Sequence, residues 1–211
     1  MQHRTKKKGF TLIELLVALA VTSIVLTAVA ALTYAVGSAN NASDDTSTKQ
    51  AQMRYAGLRI SELIKYCKLI CRVSEQDLAV WLADDNDDGH INALELVYLE
   101  TGNDKDYIRL LEFSTDSSLL QAYVISPASI QDGSAKTWLK TNCQQSYTLM
   151  VPQCSNVDFS VDTQPPQTRF VSISFDLEEN SAVHNYKIDA GLRSWAGYLL
   201  DGSGNIVSDD D

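Results

Sequence analysis

The middle of the chain contains the run Asp84-Asp85-Asn86-Asp87-Asp88-Gly89-His90-Ile91-Asn92-Ala93-Leu94-Glu95. It satisfies the pattern D-x-[DN]-x-[DN]-G-x5-E at every position, and that spacing can bring hard oxygen donors round one centre, as calcium requires. Asp84, Asn86 and Asp88 would supply side-chain oxygens, and His90 its backbone carbonyl rather than its ring. Asn92 would act through a water, and Glu95 would bind with both carboxylate oxygens. Gly89 permits the sharp turn, and Ile91 sits where an apolar residue anchors such a loop. Calcium is therefore the expected cofactor. The competing reading is a β-hairpin whose turn is rich in Asp, Asn and Gly for purely local reasons.

A second telling arrangement opens the chain. Arg4, Lys6, Lys7 and Lys8 stop at Gly9-Phe10, and from Phe10 to Val36 the single charge is Glu14. About 20 apolar residues cross a bilayer as a helix, and in lipid a helix satisfies its own backbone groups. The positive cluster belongs on the cytoplasmic side, which places the body outside. Ala35-Val36-Gly37 would pass as a secretory cleavage site, but the apolar core of a signal peptide is only ~7–15 residues long. A plain N-terminal anchor is the stronger competitor. Glu14 argues against it, because an ionisable group inside a membrane segment is costly and usually has a partner and a role.

The stretch KKKGFTLIELLVALAV, Lys6 to Val21, resembles the N-terminal cleavage and methylation motif of type IV pilins and type II secretion pseudopilins. The resemblance implies that a prepilin peptidase cuts between Gly9 and Phe10 and methylates Phe10. It also implies that Glu14 neutralises the new amine of a neighbouring subunit and so sets the axial register. The expected protein is a minor pilin or pseudopilin subunit of a type IV pilus or type II secretion fibre, with other such subunits as partners. It would be a single-pass inner-membrane protein with an external or periplasmic C-terminal domain, entering the fibre on assembly. Many major pilins carry a helix-kinking Pro in this segment; here no Pro precedes Pro127, which points to a minor or pseudopilin-type subunit. The order of the later strands resembles the J-type pseudopilin or the W-type minor pilin. The acidic run resembles an EF-hand or dockerin-type loop, although Asp77–Leu82 and Leu96–Leu99 beside it read as strands rather than helices. A calcium-dependent adhesin or binding module on a pilin-like stalk is the alternative function.

The other reactive residues point away from catalysis. The chain has three His, and His3, His90 and His184 form no recognisable Ser-His-Asp spacing. No Gly-rich phosphate loop is present, and no enzyme activity is expected. A net charge of −10 argues against nucleic-acid binding, which needs Lys and Arg to replace counterions. Cys67, Cys71, Cys143 and Cys154 make an even count, which in an exported domain permits two disulfides. The pairing is either Cys67–Cys71 with Cys143–Cys154 or one of the two crossed arrangements. A four-cysteine zinc site is disfavoured because the spacings are not C-x2-C pairs.

The elements that must position these groups follow from periodicity. Met53, Ala56, Ile60, Leu63, Ile64, Cys67, Ile70 and Cys71 step by three and four, a helical stripe. One helix from about Phe10 to Cys71 is expected, with the polar stretch Gly37–Thr48 either inside it or a loop. Leu78–Ala83, Leu94–Glu100, Tyr107–Phe113 and Leu119–Ile125 read as strands. Phe170–Leu177 alternates as a half-buried strand should, with Tyr186–Arg193 as its hairpin partner. Asp162–Gln167, with Pro165-Pro166, reads as a loop, Asp201–Asn205 as a turn, and Asp209–Asp211 as a solvated acidic tail. The expected class is α+β, pilin-like: a long N-terminal helix, its first half transmembrane, packed on an antiparallel sheet domain. The expected segments are leader 1–9, membrane helix 10–36, external helix 37–72 and β-rich domain 73–211.

Overall fold

The computed structural model describes residues 11–86 and 88–193. The leader, Gly9, Phe10, the expected turn Asp201–Asn205 and the acidic tail lie outside the described residues. The chain divides into two compact units, Met1–Ser47 and Thr48–Asp211.

Helix α1 runs Leu12–Tyr66. Thr11 caps it. The Glu14 carboxylate accepts the Thr11 N–H at 2.9 Å and the Thr11 hydroxyl at 2.8 Å, while the Glu14 N–H points back to Thr11 Oγ1 at 3.4 Å. This is a capping box, which satisfies donors the first turn would otherwise leave open. In the first unit the apolar side chains are exposed, Ile13 and Leu26 at 68% and Leu32 at 66%. The hydroxyls among them bond back to their own helix: Thr22 to Ala18 O, Thr27 to Ser23 O and Thr33 to Val29 O. These three hydroxyls need no water, while each apolar side chain would gain roughly 1.5–3 kcal/mol from full burial. Gly37–Thr48 is helical throughout, so the loop reading of that stretch does not hold.

In the second unit the expected stripe is the buried face of α1: Ala56, Ile60 and Ile64 are at most 1% exposed. The helix stops at Tyr66, short of the expected Cys71. The chain turns at Cys67 into strand β1, Leu69–Val73, so Ile70 and Cys71 are buried by strand alternation instead. β2 (Asp77–Trp81), β3 (Leu96–Glu100), β4 (Ile108–Ser114) and β5 (Gln144–Val151) complete an antiparallel five-stranded sheet in the order β1-β2-β3-β4-β5. Its central strands are buried on both faces. Leu78, Val80, Val97, Leu99, Ile108 and Leu110 share one core with α1, whereas Ala79, Trp81, Leu96, Tyr98, Leu111 and Phe113 belong to a second core on the opposite face.

The expected strand Leu119–Ile125 is not one. α2 occupies Ser118–Gln121, and Val124 makes only an isolated bridge to Asn92. Two further helices follow, α3 (Pro127–Asp132) and α4 (Ser134–Asn142), contributing Ile130, Ala135 and Leu139 to the second core. Gly133 joins them with φ +83°, closing α3 and opening α4; a Cβ there would lie 2.9 Å from the Arg72 guanidinium. The remaining strands, β6 (Ser155–Val161), β7 (Phe170–Glu179) and β8 (Ala182–Gly191), form a separate three-stranded antiparallel sheet that fills the first core with Val157, Ile173 and Phe175. The single expected sheet is thus two. β7 and β8 pair as expected, but across a tight turn at Asn180-Ser181, both at positive φ, as a two-residue hairpin requires. Asp162–Gln167 is a loop, as expected.

Candidate functional site

Glu14 stands at the third position of α1, where the helix dipole favours a carboxylate. One helical turn on, Ala18 is small, and Ile13, Glu14, Val17, Ala18, Val21 and Thr22 line an open, almost wholly apolar groove. The capping box fixes the carboxylate without neutralising it. Thr11 is the functional residue the sequence reading missed, and its signal was available: Thr followed three positions later by Glu, just before an apolar run.

The acidic run connects β2 to β3, whose register pairs Asp77 with Glu100 and Trp81 with Leu96. The flanks are strands, as expected. Inside the loop the carboxylates are turned onto N–H donors. Asp84 accepts from the N–H groups of Asp88 (3.1 Å) and Gly89 (3.0 Å), and Gly89 has φ +70°. Glu95, 6% exposed, accepts from the Asp85 N–H, the Asn92 N–H and the Trp81 indole. Asp88 accepts from His90 N–H and from the side chains of Asn86 and Asn92. Desolvation pushes the Asp88 carboxyl up, but donation from Asn92, His90 and Asn86 outweighs it and holds the group below its ordinary range. His90 itself is exposed. All six expected ligand residues thus meet through hydrogen bonds around Asp88 and Glu95: Asp84, Asn86, His90 and Asn92 with Asp88, and Asn92 again with Glu95. Among the described residues, however, no three His, Cys, Asp or Glu side chains are gathered closely enough to hold a metal ion.

A charged cluster that sequence reading did not find lies at the other end of the β2–β3 pair, on Asp77 and Glu100. Lys136 of α4 reaches Asp77 at 2.7 Å and Glu100 at 2.6 Å; Arg72 adds a bond to Asp77, and Arg109 and Lys140 to Glu100. Both carboxylates are nearly fully buried, at 4% and 3% exposure. Desolvation raises both carboxyls, and Lys136, aided by the arginines, more than reverses it, holding both below the usual carboxylate range. The cluster ties α4 to the sheet.

The four cysteines are thiols in this structure. Cys67 and Cys154 belong to the first core, Cys71 and Cys143 to the second. Burial pushes Cys67 and Cys154 up to about 12 and raises Cys71 and Cys143 as well, which makes them poor nucleophiles. Since Cys71 is on β1, the expectation that it shares a helix face with Cys67 is corrected. His184 is an exposed residue of β8.

Residues 4–30 match the family model described as the prokaryotic N-terminal methylation motif. That match ends inside α1 and covers the basic leader, Gly9, Phe10 and Glu14. A significant match was found neither among curated proteins nor among solved structures. The chain therefore carries a type IV prepilin-like N-terminus, followed by an α+β body of one long helix and antiparallel sheets.

Proposed function

We propose that this protein is a minor pilin or pseudopilin subunit of a type IV pilus or type II secretion fibre, assembled through α1 after its leader is removed. The observation that carries the reading is the methylation motif over residues 4–30, whose part from Leu12 onward is a helix with exposed apolar side chains. Such a surface needs a cover. Lipid of the inner membrane would provide it before assembly, and the helices of other subunits afterwards. In this reading a prepilin peptidase cuts between Gly9 and Phe10, methylates Phe10, and leaves an amine that Glu14 of a neighbouring subunit neutralises. The lack of Pro before Pro127 favours a minor or pseudopilin-type role over a major pilin. Export places Cys67, Cys71, Cys143 and Cys154 in a compartment where they pair as disulfides.

The reading is tested on protein recovered from its own host. Mass spectrometry of the N-terminal peptide is expected to begin at N-methylated Phe10. An N-terminus near Asn40 would mean an ordinary secretory signal and would end the proposal.

A further inference from the structure

The Asp84–Glu95 loop carries more than a turn needs. Asn92 is only 2% exposed; its Nδ2 donates to Asp88 and its N–H to Glu95, each at 3.0 Å, yet its Oδ1 has no hydrogen-bond partner. A buried acceptor left open costs roughly 1–3 kcal/mol. The Asn92 amide is anchored on the Asp88 carboxylate and its main chain on Glu95, and neither carboxylate can donate to Oδ1 once ionised; a cation can satisfy it. A second observation concerns Lys68, at the junction of α1 and β1. Its ammonium reaches Asp84 Oδ2 at 3.2 Å, on a side chain 1% exposed, while lying 5.3 Å from the centre of the Trp81 ring. The loop itself carries Asp84, Asp85, Asp88 and Glu95 and no Lys or Arg between residues 84 and 95, so its own charge is strongly negative.

We propose that residues 84–95 form a calcium site in which Lys68 is a built-in competitor: calcium takes Asp84, Asn86, Asp88, the His90 carbonyl, the Asn92 amide oxygen and Glu95, and displaces the Lys68 ammonium from Asp84. The carboxylates must turn inward from their present N–H donors to do so. The hairpin need not be rebuilt, because Gly89 already makes the turn and Asp84 and Glu95 already bind the loop backbone. Calcium suits a wide ring of oxygens that magnesium, with its strict octahedron and tightly held waters, does not. The exchange is wired to the fold. The Lys68 N–H bonds Trp81 O at 2.9 Å, and the Trp81 indole bonds Glu95 at 3.1 Å. Metal occupancy is thereby felt where α1 gives way to the sheet.

Trp81 supplies the readout, since a lanthanide bound by Glu95 would be sensitised by the indole beside it. The full-length chain in detergent micelles is titrated with terbium under tryptophan excitation, then with calcium or magnesium. Sensitised emission is expected, displaced by calcium at roughly millimolar concentration and not by equal magnesium. Asp88→Asn and Glu95→Gln should each abolish it with unchanged far-UV circular dichroism; if Glu95→Gln fails to fold, Asp88→Asn decides. Lys68→Met should bind calcium on the order of fivefold more tightly, the upper end for losing a partly exposed ion pair. Absence of calcium-displaceable emission in the wild type, or its persistence in Asp88→Asn, overturns the site. Unchanged or weaker calcium affinity in Lys68→Met overturns the exchange.

Discussion

Glu14 and Lys136 show two ways in which a single charged side chain constrains this chain. Glu14 was visible in the sequence because it is the single charge between Phe10 and Val36. Its capping by Thr11 was equally readable, since the partners are three residues apart. Lys136 was not readable, because its partners Asp77 and Glu100 are remote in sequence and meet only when α4 lies on the sheet. The two residues predict different phenotypes. Glu14→Ala is expected to leave thermal unfolding of the second unit unchanged while lowering incorporation into fibres, measured by immunoblot of sheared fibre fractions; normal incorporation would remove its role in registry. Lys136→Met should destabilise folding by about 3 kcal/mol, the low end for breaking a buried ion pair because Arg72 and Arg109 remain, as read by urea unfolding. The pH dependence follows from the same cluster. The folded carboxyls of Asp77 and Glu100 are held below their unfolded values, so their stabilisation is fully present above the ordinary range of about 4 and is lost as pH falls through the lower folded values. Acid unfolding of the wild type should therefore lie below pH ~4, and Lys136→Met should move it upward.

At the scale of elements, legibility followed the strength of the period. Phe170–Leu177 alternates and is β7; Ala56, Ile60 and Ile64 repeat helically and are the buried face of α1. The boundary after Tyr66 was hidden because Ile70 and Cys71 fit the helical stripe and are also buried residues of β1. β5 escaped notice because Gln144–Val151 is an edge strand with mostly exposed side chains. Leu119–Ile125 misled because Leu119 lies exposed on the short helix α2, while Val124 makes only an isolated bridge to Asn92. The helical face is directly testable. Ile60→Ala should cost about 2–5 kcal/mol as a buried large-to-small change. Leu58→Ala, two positions away and 68% exposed, should stay within ~0.5 kcal/mol. Equal losses in denaturant titration would mean that α1 presents a different face to the core.

At the scale of the whole molecule, the α+β class was legible from order alone, a long apolar-then-amphipathic helix followed by short strands. The division into two sheets was not, because strand pairing across long separations leaves no local mark. β6, β7 and β8 read like any other strands until they are seen to share a core with α1 and one face of the larger sheet. The opposite face is closed by α3 and α4, and so depends on the short join between them. At Gly133 the main chain adopts a conformation that other residues rarely take, and an added Cβ would press on the end of the Arg72 guanidinium, itself bonded to Asp77. That join is a locked point in the protein's inheritance. Surface positions around the two sheets are open to drift as partners change, but a lineage that loses this glycine takes on a strained backbone at the join and must move the arginine beneath it.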